Sequence, residues 1–427
     1  MRLTFKKGIH LPHNKLTRLD EIAVCDAPSI VAIPLSQHIG KPAVCTVNVG
    51  DRVKAGTRIG VADGVVSADV FSSVSGVVKS IENHKTVTGK ALHVFIENDG
   101  EYEEEKLELP DKLTVDDIRD LLRRAGIVGM GGAGFPSAVK YSPKKPIDTF
   151  ILNAAECEPY ITCDDRLIIE RTVEILRGGE LLSRVLGIPQ FHIGIEDNKP
   201  EAIAALERAI SGEKINAVVD VLKSKYPQGA EKQLIYAVTK RKVPVGGLPS
   251  DVGVVVGNVH TAYSLYDAAT SGTPLYARAM TVTGGVFAPK NLWVRNGTPF
   301  GYLAEKCGVD ASVVRTVCGG PMMGFALPDL DYYTTKMMDA LLFLNDDAVN
   351  TDKSSPCINC AKCARACPMN LMPMYIDAYT QIRDYATAEK YGAKNCIECG
   401  CCAYVCPAKR PIVQSVRLCK KMLRGGK

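Results

Sequence analysis

At 427 residues the chain is longer than one hydrophobic core usually supports, and at roughly 150 residues per domain it implies about three. Hydrophobic residues at 46% and charged residues at 23% exclude a disordered or collagen-like chain. Fifty-two Lys and Arg against 47 Asp and Glu leave a surplus too small to make nucleic acid the main partner. The apolar runs around 252–256 and 337–344 fall far short of the roughly 18 residues a membrane span needs. Residues 1–15 carry His10, Pro12, His13 and Asn14 where a signal peptide has its apolar stretch, so the chain is expected to stay in the cytoplasm.

Residues 1–98 are rich in Val, Gly, Ser and Thr, which reads as short strands joined by glycine turns. Val47-Asn48-Val49-Gly50-Asp51-Arg52-Val53 is followed by the similar Ser72-Ser73-Val74-Ser75-Gly76-Val77-Val78. On these residues the stretch resembles a biotinyl or lipoyl barrel-sandwich domain, which carries a modified lysine on the turn between two such halves. Residues 64–73, where that turn falls, contain no lysine, so a swinging arm is excluded and a docking or structural role is left. The stretch 99–111, with seven Asp or Glu and Pro110, reads as a solvated linker.

From 112 to 274 helix and strand patterns alternate. Thr114 with Asp117 three residues on marks a helix start, and Val115, Ile118, Leu121, Leu122 and Ala125 follow at helical spacing. Strands are expected at 149–155, 191–195, 217–222 and 252–256, with helices at 165–186, 200–210 and 232–239, a layered α/β domain. In the glycine-rich run 126–137, Gly129, Gly131 and Gly134 satisfy G-x-G-x-x-G, but the dinucleotide fingerprint needs a strand before it and here a helix precedes. Together with Gly132 they still let the backbone approach a ligand and turn N–H groups towards a phosphate, with Lys140 as counter-charge. The alternative is a flexible turn. Asn153-Ala154-Ala155-Glu156-Cys157-Glu158-Pro159-Tyr160 sits at the carboxyl end of an expected strand, where ligands of open α/β sheets collect. Asn153 offers donor and acceptor to a flavin-like ring, and Glu156 and Glu158 suit a ligand hydroxyl or amide; the plainer reading is an exposed acidic loop.

Residues 275–335 return to short strands punctuated by glycine, and a basic helix is expected at 411–424. Nine of the sixteen cysteines lie between Cys357 and Cys406. The spacing Cys357-x-x-Cys360-x-x-Cys363-x-x-x-Cys367-Pro368 recurs as Cys396-x-x-Cys399-x-x-Cys402-x-x-x-Cys406-Pro407. Three thiolates of such a loop hold one face of an iron-sulfur cube, and the fourth ligates the other cube. This assigns Cys357, Cys360, Cys363 and Cys406 to one 4Fe-4S cluster and Cys396, Cys399, Cys402 and Cys367 to a second. Disulfides do not suit a cytoplasmic chain, and zinc needs only four such ligands. Cys401 is out of register and reads as a spare thiol.

The glycine and acidic segments are similar to the FMN and NADH site of the flavoprotein subunit of respiratory NADH dehydrogenase, with its G-R-G-G-A-G-F-P and N-A-D-E-S-E-P loops. The resemblance implies that Gly129, Gly131, Gly132, Gly134, Phe135 and Lys140, with Asn153, Glu156 and Glu158, hold flavin and nucleotide. Tyr226-Pro-Gln-Gly229-Ala230-Glu231 resembles that family's Y-x-x-G-E-E and Gly257-Asn258-Val259-His260-Thr261 its N-N-V-E-T, which adds Tyr226, Glu231, Gly257 and Asn258. Met130 stands for the loop arginine, Ala155 for an acidic residue that touches flavin and Ala230 for a glutamate, so less charge is expected around the cofactor.

With the N-terminal Lys7-Gly8-Ile9-His10-Leu11-Pro12-x-x-Lys15 segment, the order of parts resembles the RnfC family, the C subunits of Rnf complexes, over essentially the whole chain. The resemblance implies a multidomain α/β plus β protein: a barrel-sandwich hybrid at 1–98, a linker at 99–111, a Rossmann-like FMN and NADH domain at 112–274, a β-grasp module at 275–345 and a helical two-cluster ferredoxin-like domain at 346–427. It implies FMN and two 4Fe-4S clusters as cofactors, NAD(H) as substrate, and partner subunits through which reduced ferredoxin is reached. The complex would couple this electron transfer to Na+ or H+ movement, with the chain peripheral on the cytoplasmic face of a bacterial membrane. Flavin carries the chemistry, so no catalytic side chain is assigned and His260 reads as a packing residue. Two other readings are a soluble flavin and iron-sulfur reductase of cobalamin or another acceptor, and a non-catalytic electron-wire or adaptor subunit. Because residues 64–73 lack lysine, intact-mass measurement should show no lipoyl or biotinyl addition; either increment would end the scaffold reading of the first domain.

Overall fold

The computed structural model describes residues 2–349 and 352–425; Met1, Asn350, Thr351, Gly426 and Lys427, the last four inside the expected 346–427 unit, lie outside the described residues. Two small sheets face each other in the N-terminal third. One orders Ile30–Pro34, Gly89–Asn98, Gly76–Thr86 and Arg52–Val53, the other Val44–Cys45, Arg58–Val61 and Val70–Phe71. Alternate residues point inward, so Val31 and Ile33 meet Val94 and Ile96, with Ile59, Val70 and Val78 completing the core. The tip of the lysine-free turn, at Gly64 and Val65, is exposed, while residues 67–73 face into the molecule. Ser73 is fully buried, its Oγ donating to the Asn296 carbonyl, and the buried Lys336 ammonium donates to the carbonyls of Asp69 at 2.6 Å and Gly126 at 2.8 Å.

Residues 2–24 pair elsewhere. Leu3 bridges Leu222, Ile9 bridges Tyr226, and Ile22–Val24 runs parallel to Lys290–Arg295. The acidic stretch is not a free linker either: the Ala55 main chain exchanges hydrogen bonds with Glu103 and Glu105, and Leu107 N–H donates to the Gly272 carbonyl, all at 2.8 Å.

Thr149–Ala154, Phe191–Glu196, Ala217–Leu222 and Val254–Asn258 form a parallel sheet in the order third, second, first, fourth. Helix Val115–Arg124 starts at a capping box of Thr114 and Asp117. The single helix expected at 165–186 is two, Cys163–Glu170 and Thr172–Leu186, because Arg171 leaves helical backbone angles (φ −132, ψ 40). Thr172 Oγ1 donates to the Ile168 carbonyl at 2.6 Å at that break. The sequence reading also lacks the helix Val259–Ser271, which Asn258 caps by accepting from His260 N–H at 2.8 Å.

A six-stranded sheet follows in the order Ile22–Val24, Lys290–Arg295, Ala277–Gly284, Ala340–Asn345, Val313–Cys318 and Phe325–Leu327. Its central pair, Ala277–Gly284 and Ala340–Asn345, is parallel, and Phe300 and Leu303 of helix Phe300–Cys307 fill its core with Met280, Val282 and Phe343. The tail is helical, from Lys362–Ala366 to Ile412–Gly425. Among the described residues no helix is long and apolar enough to cross a membrane.

Lys336→Met would leave the Asp69 and Gly126 carbonyls without this donor, at about 1–3 kcal/mol each, and should lower the melting temperature by several degrees. Burial pushes the Lys336 ammonium down to about 7, so between 10.5 and that value the folded chain binds fewer protons here than the unfolded chain. Its contribution to stability therefore falls as pH drops through this window, and Lys336→Met should remove that slope. Unchanged melting at every pH would contradict both statements.

Candidate functional site

The ends of strands Thr149–Ala154 and Val254–Asn258, the glycine loop and the turn at 226–231 surround a cleft of about 480 Å³. All thirteen residues singled out in the four sequence motifs, from Gly129 to Asn258, line it.

Helix Val259–Ser271 sets the glycine loop. Gly129 N–H donates to the Phe135 carbonyl at 2.8 Å, and Met130 N–H donates to Thr261 Oγ1 at 3.0 Å. The N–H groups of Gly131, Ala133 and their neighbours Gly132 and Gly134 have no partner among the described residues. A Cβ on Gly131 would strike Asn258 at 2.7 Å, and Gly134 holds a left-handed φ of +67° with a Cβ position that collides with Met337. A Cβ on Gly132 would meet nothing within 4 Å, so that position opens into the cleft. The loop is therefore a cradle of free main-chain donors. Met130 turns the other way and packs with Ala68, Val128 and Leu275, and Ala155 is buried with Ile151 and Leu234. Met130 and Ala155 are therefore not among the residues that line the cleft, whereas Ala230 is.

Beneath the acidic loop lies Lys15, which the sequence reading gave no role. Its Nζ donates to the carbonyls of Glu156 at 3.0 Å, Glu158 at 2.9 Å and Ile161, and lies 3.9 Å from the Glu156 carboxylate. Glu156 and Tyr160 have left-handed φ of 41° and 70°, unfavourable for side-chain-bearing residues, and the ammonium secures that path. Both glutamates spend their carboxylates on protein. Glu156 accepts from Asp164 and Asp165 N–H at 2.7 and 3.2 Å, at the start of helix Cys163–Glu170. Glu158 accepts from Met322 and Met323 N–H at 3.2 and 3.0 Å and from Tyr226 OH at 3.3 Å. Burial pushes Glu158 up to about 7, against the pull of these donors, and burial also raises Glu156 and lowers Lys15.

Asn153 braces the wall by donating to the Gly229 carbonyl at 2.9 Å and accepting from Ala155 N–H at 3.1 Å. Lys140 pairs with Glu231 at 3.1 Å. Asp164, also absent from the sequence reading, accepts from Asn258 Nδ2 at 2.7 Å, while its buried Oδ1 has no hydrogen-bond partner. His260 is fully buried and stacks on Trp293.

The tail brings the cysteines together in two sets. Cys357, Cys360, Cys363 and Cys406 line one cavity, and Cys367, Cys396, Cys399 and Cys402 another. Ile397 lines both the second cavity and the cleft. Cys401 lines the second cavity as well and is buried with Ile9, Tyr226 and Cys399.

Residues 3–101 match the RnfC barrel sandwich hybrid domain, 122–267 the Nuo51 FMN-binding domain and 349–407 a 4Fe-4S dicluster domain, which defines a flavin and iron-sulfur protein class. The chain is 43% identical over 433 residues, 98% of it and 94% of the relative, to the C subunit of the proton-translocating ferredoxin:NAD(+) oxidoreductase complex of Clostridium ljungdahlii. It is 40% identical over 98% of its length and 96% of the relative to the C subunit of the Na(+)-translocating ferredoxin:NAD(+) oxidoreductase complex of Acetobacterium woodii. The C subunit of the ion-translocating oxidoreductase complex of Rhodobacter capsulatus is 38% identical, with 98% and 83% covered. The chain belongs to this family of complex C subunits. Among solved structures, the NAD+-reducing NiFe hydrogenase in its H2-reduced state matches 73% of this chain and 61% of that one at a TM-score of 0.53 and 17% identity, a likeness of fold alone.

Lys15→Met would strand three carbonyls and the Glu156 carboxylate, so we expect a loss of about 3–5 kcal/mol in denaturant unfolding. Lys15→Arg should recover part of it. A midpoint unchanged in Lys15→Met would show that the loop keeps its path without the ammonium.

Proposed function

We propose that the chain is the NAD(H)-reactive electron-transfer subunit of a membrane-bound ferredoxin:NAD oxidoreductase coupled to Na+ or H+ translocation. The observation that carries this is the shared wall at Ile397, where a cleft with a glycine cradle adjoins the cavity of the second cysteine set. Bound FMN supplies hydride exchange with nicotinamide and one-electron exchange with two 4Fe-4S clusters.

The residues fit these groups. Free N–H donors at Gly131 to Gly134 and the open side of Gly132 suit the flavin phosphate, with Lys140 to balance its charge. Gly129 and Phe135 close the loop, and Asn153, Gly257 and Asn258 shape the strand ends beside it. Glu158 ties Tyr226 to the 322–323 segment, so it fixes the wall on the cluster side, while Glu156 holds the acidic loop and Glu231 holds Lys140. Eight cysteines in two sets of four match the ligand demand of two cubes, with the Cys396 set nearer the cleft and the Cys357 set beyond it.

We read the chain as five units, 1–98, 99–111, 112–274, 275–345 and 346–427, with residues 2–24 strapped across the later ones. The parallel order third, second, first, fourth supports a Rossmann-like FMN domain. For 275–345, the order second, first, fifth, third, fourth around a parallel central pair, with one helix, supports a β-grasp module. Attachment is peripheral and through other subunits of the complex; the face that meets cytoplasmic NAD(H) is the natural one. Ferredoxin is reached through a partner subunit. The cradle argues against a wire without flavin, and the match to complex subunits along 98% of the chain argues against a freestanding reductase.

Anaerobically purified chain should contain one FMN and about eight irons. Gly132→Val adds a branched side chain at a position whose Cβ meets no protein atom within 4 Å and which opens into the cleft, so it should lose FMN and NADH oxidation while keeping its iron. Full flavin occupancy in this variant would mean that the loop is only a turn. Glu158→Gln should retain flavin and mainly alter nucleotide use.

A further inference from the structure

The tail is charged unlike the rest of the chain. Residues 351–427 contain thirteen Lys or Arg and five Asp or Glu, whereas 1–350 contain 39 and 42. Two oxidised cubes with their eight thiolates would contribute about −4, half of the surplus, so the cofactors do not neutralise this domain.

Five of the thirteen, Lys353, Lys362, Arg365, Lys409 and Arg410, flank the first cysteine set where it reaches the surface, with Asp352 beside Lys353, and four more lie on the terminal helix. Cys357 is exposed, and beside it Ile358 is 65% exposed. Ser355 N–H donates to the Ala408 carbonyl at 3.0 Å, which brings the exposed Lys353 and Lys409 to one edge of the set. Lys362 and Arg365, also exposed, flank Cys363, and Arg365 Nη2 donates to the Cys360 carbonyl at 3.0 Å. Lys7 adds its ammonium from the N-terminal segment by donating to the Ala364 carbonyl at 3.1 Å. The carboxylate in this cavity, Asp377, is buried and taken up by Arg410 at 2.8 Å and Ser415 at 2.6 Å. The second set, by contrast, packs against Ile9 and Tyr226.

We propose that this face, with Ile358 at its centre and Lys353, Lys362, Arg365 and Lys409 as its rim, docks an acidic one-electron carrier protein or domain. The inference rests on the reading that the Cys357 set holds a cluster. An apolar centre inside a charged rim is the usual anatomy of a protein interface, and opposite potentials steer and orient a transient partner. An anionic membrane surface would answer the same charges, but a cysteine set opening among them serves an electron carrier and not a lipid.

The test uses the full chain with its clusters and, as probe, a soluble, strongly acidic two-cluster ferredoxin, with binding measured by calorimetry at low and high salt. The dissociation constant should rise at least about 10-fold with salt, and by a similar factor at low salt in Lys362→Glu/Lys409→Glu with its iron content intact. Lys421→Glu/Arg424→Glu, in the last turns of the terminal helix, should leave it unchanged. Equal losses in both double variants, salt-insensitive binding, no binding, or capture by phosphatidylglycerol vesicles through the same lysines would each overturn the proposal. Iron absent from the unmodified chain would instead sink the cluster reading beneath it.

Discussion

Buried cations satisfy the irregular main chain around the cleft. A loop that leaves its ladder inside a protein carries carbonyls that still need donors, and each one left bare costs about 1–3 kcal/mol. Lys15 serves the carbonyls of Glu156, Glu158 and Ile161, and Lys199, 2% exposed, serves Ala155 at 2.7 Å. Lys336 serves Asp69 and Gly126. Arg278, also 2% exposed, serves Met130 at 3.3 Å and Lys336 at 2.9 Å. These four side chains fix both walls of the cleft from behind, which leaves its front to a ligand.

The same contacts explain why so many parts of the chain meet at one place. Lys336 joins the N-terminal sandwich to the start of the glycine loop, and Arg278 ties that loop to the six-stranded sheet. The N-terminal segment crosses from Leu222 through Tyr226 to the acidic loop, and touches the cluster domain through Gly8 N–H and the Ala366 carbonyl at 3.2 Å. A protein that passes electrons gains from such bracing, because a cofactor pair must keep its spacing while substrate enters and leaves. The sandwich, held through Asp69 and Ser73, acts here as a brace.

Much of the site was legible because its parts are short and contiguous. The glycine loop, the acidic loop and the doubled cysteine spacing each declare their chemistry within a dozen residues, and the cleft and the two cavities gather them. Strands of the parallel sheet were legible for the same reason, as local apolar runs. What escaped depends on distant partners. A lysine reads as surface, so nothing local marks Lys15 or Lys199 as buried; only the segment from Lys7 to Lys15 hinted at a role. The break at Arg171 lies inside an unbroken apolar pattern, and strand Ile22–Val24 exists only because residues 291–293 lie beside it. The direction of Met130 follows from Thr261 and Arg278, far along the chain, so nothing at position 130 itself reveals it.

The central claim is spatial: flavin in the glycine-lined cleft, then the cube of Cys396, Cys399, Cys402 and Cys367, then the cube of Cys357, Cys360, Cys363 and Cys406. Anomalous diffraction at the iron edge from anaerobically grown crystals, phased to show the flavin, measures it directly. The account predicts flavin density in the cleft with its phosphate against Gly131 and Gly132, the nearer iron peak beside Ile397 and the farther one beneath Ile358. Flavin outside this cleft, or the two iron peaks in the opposite order, would contradict it.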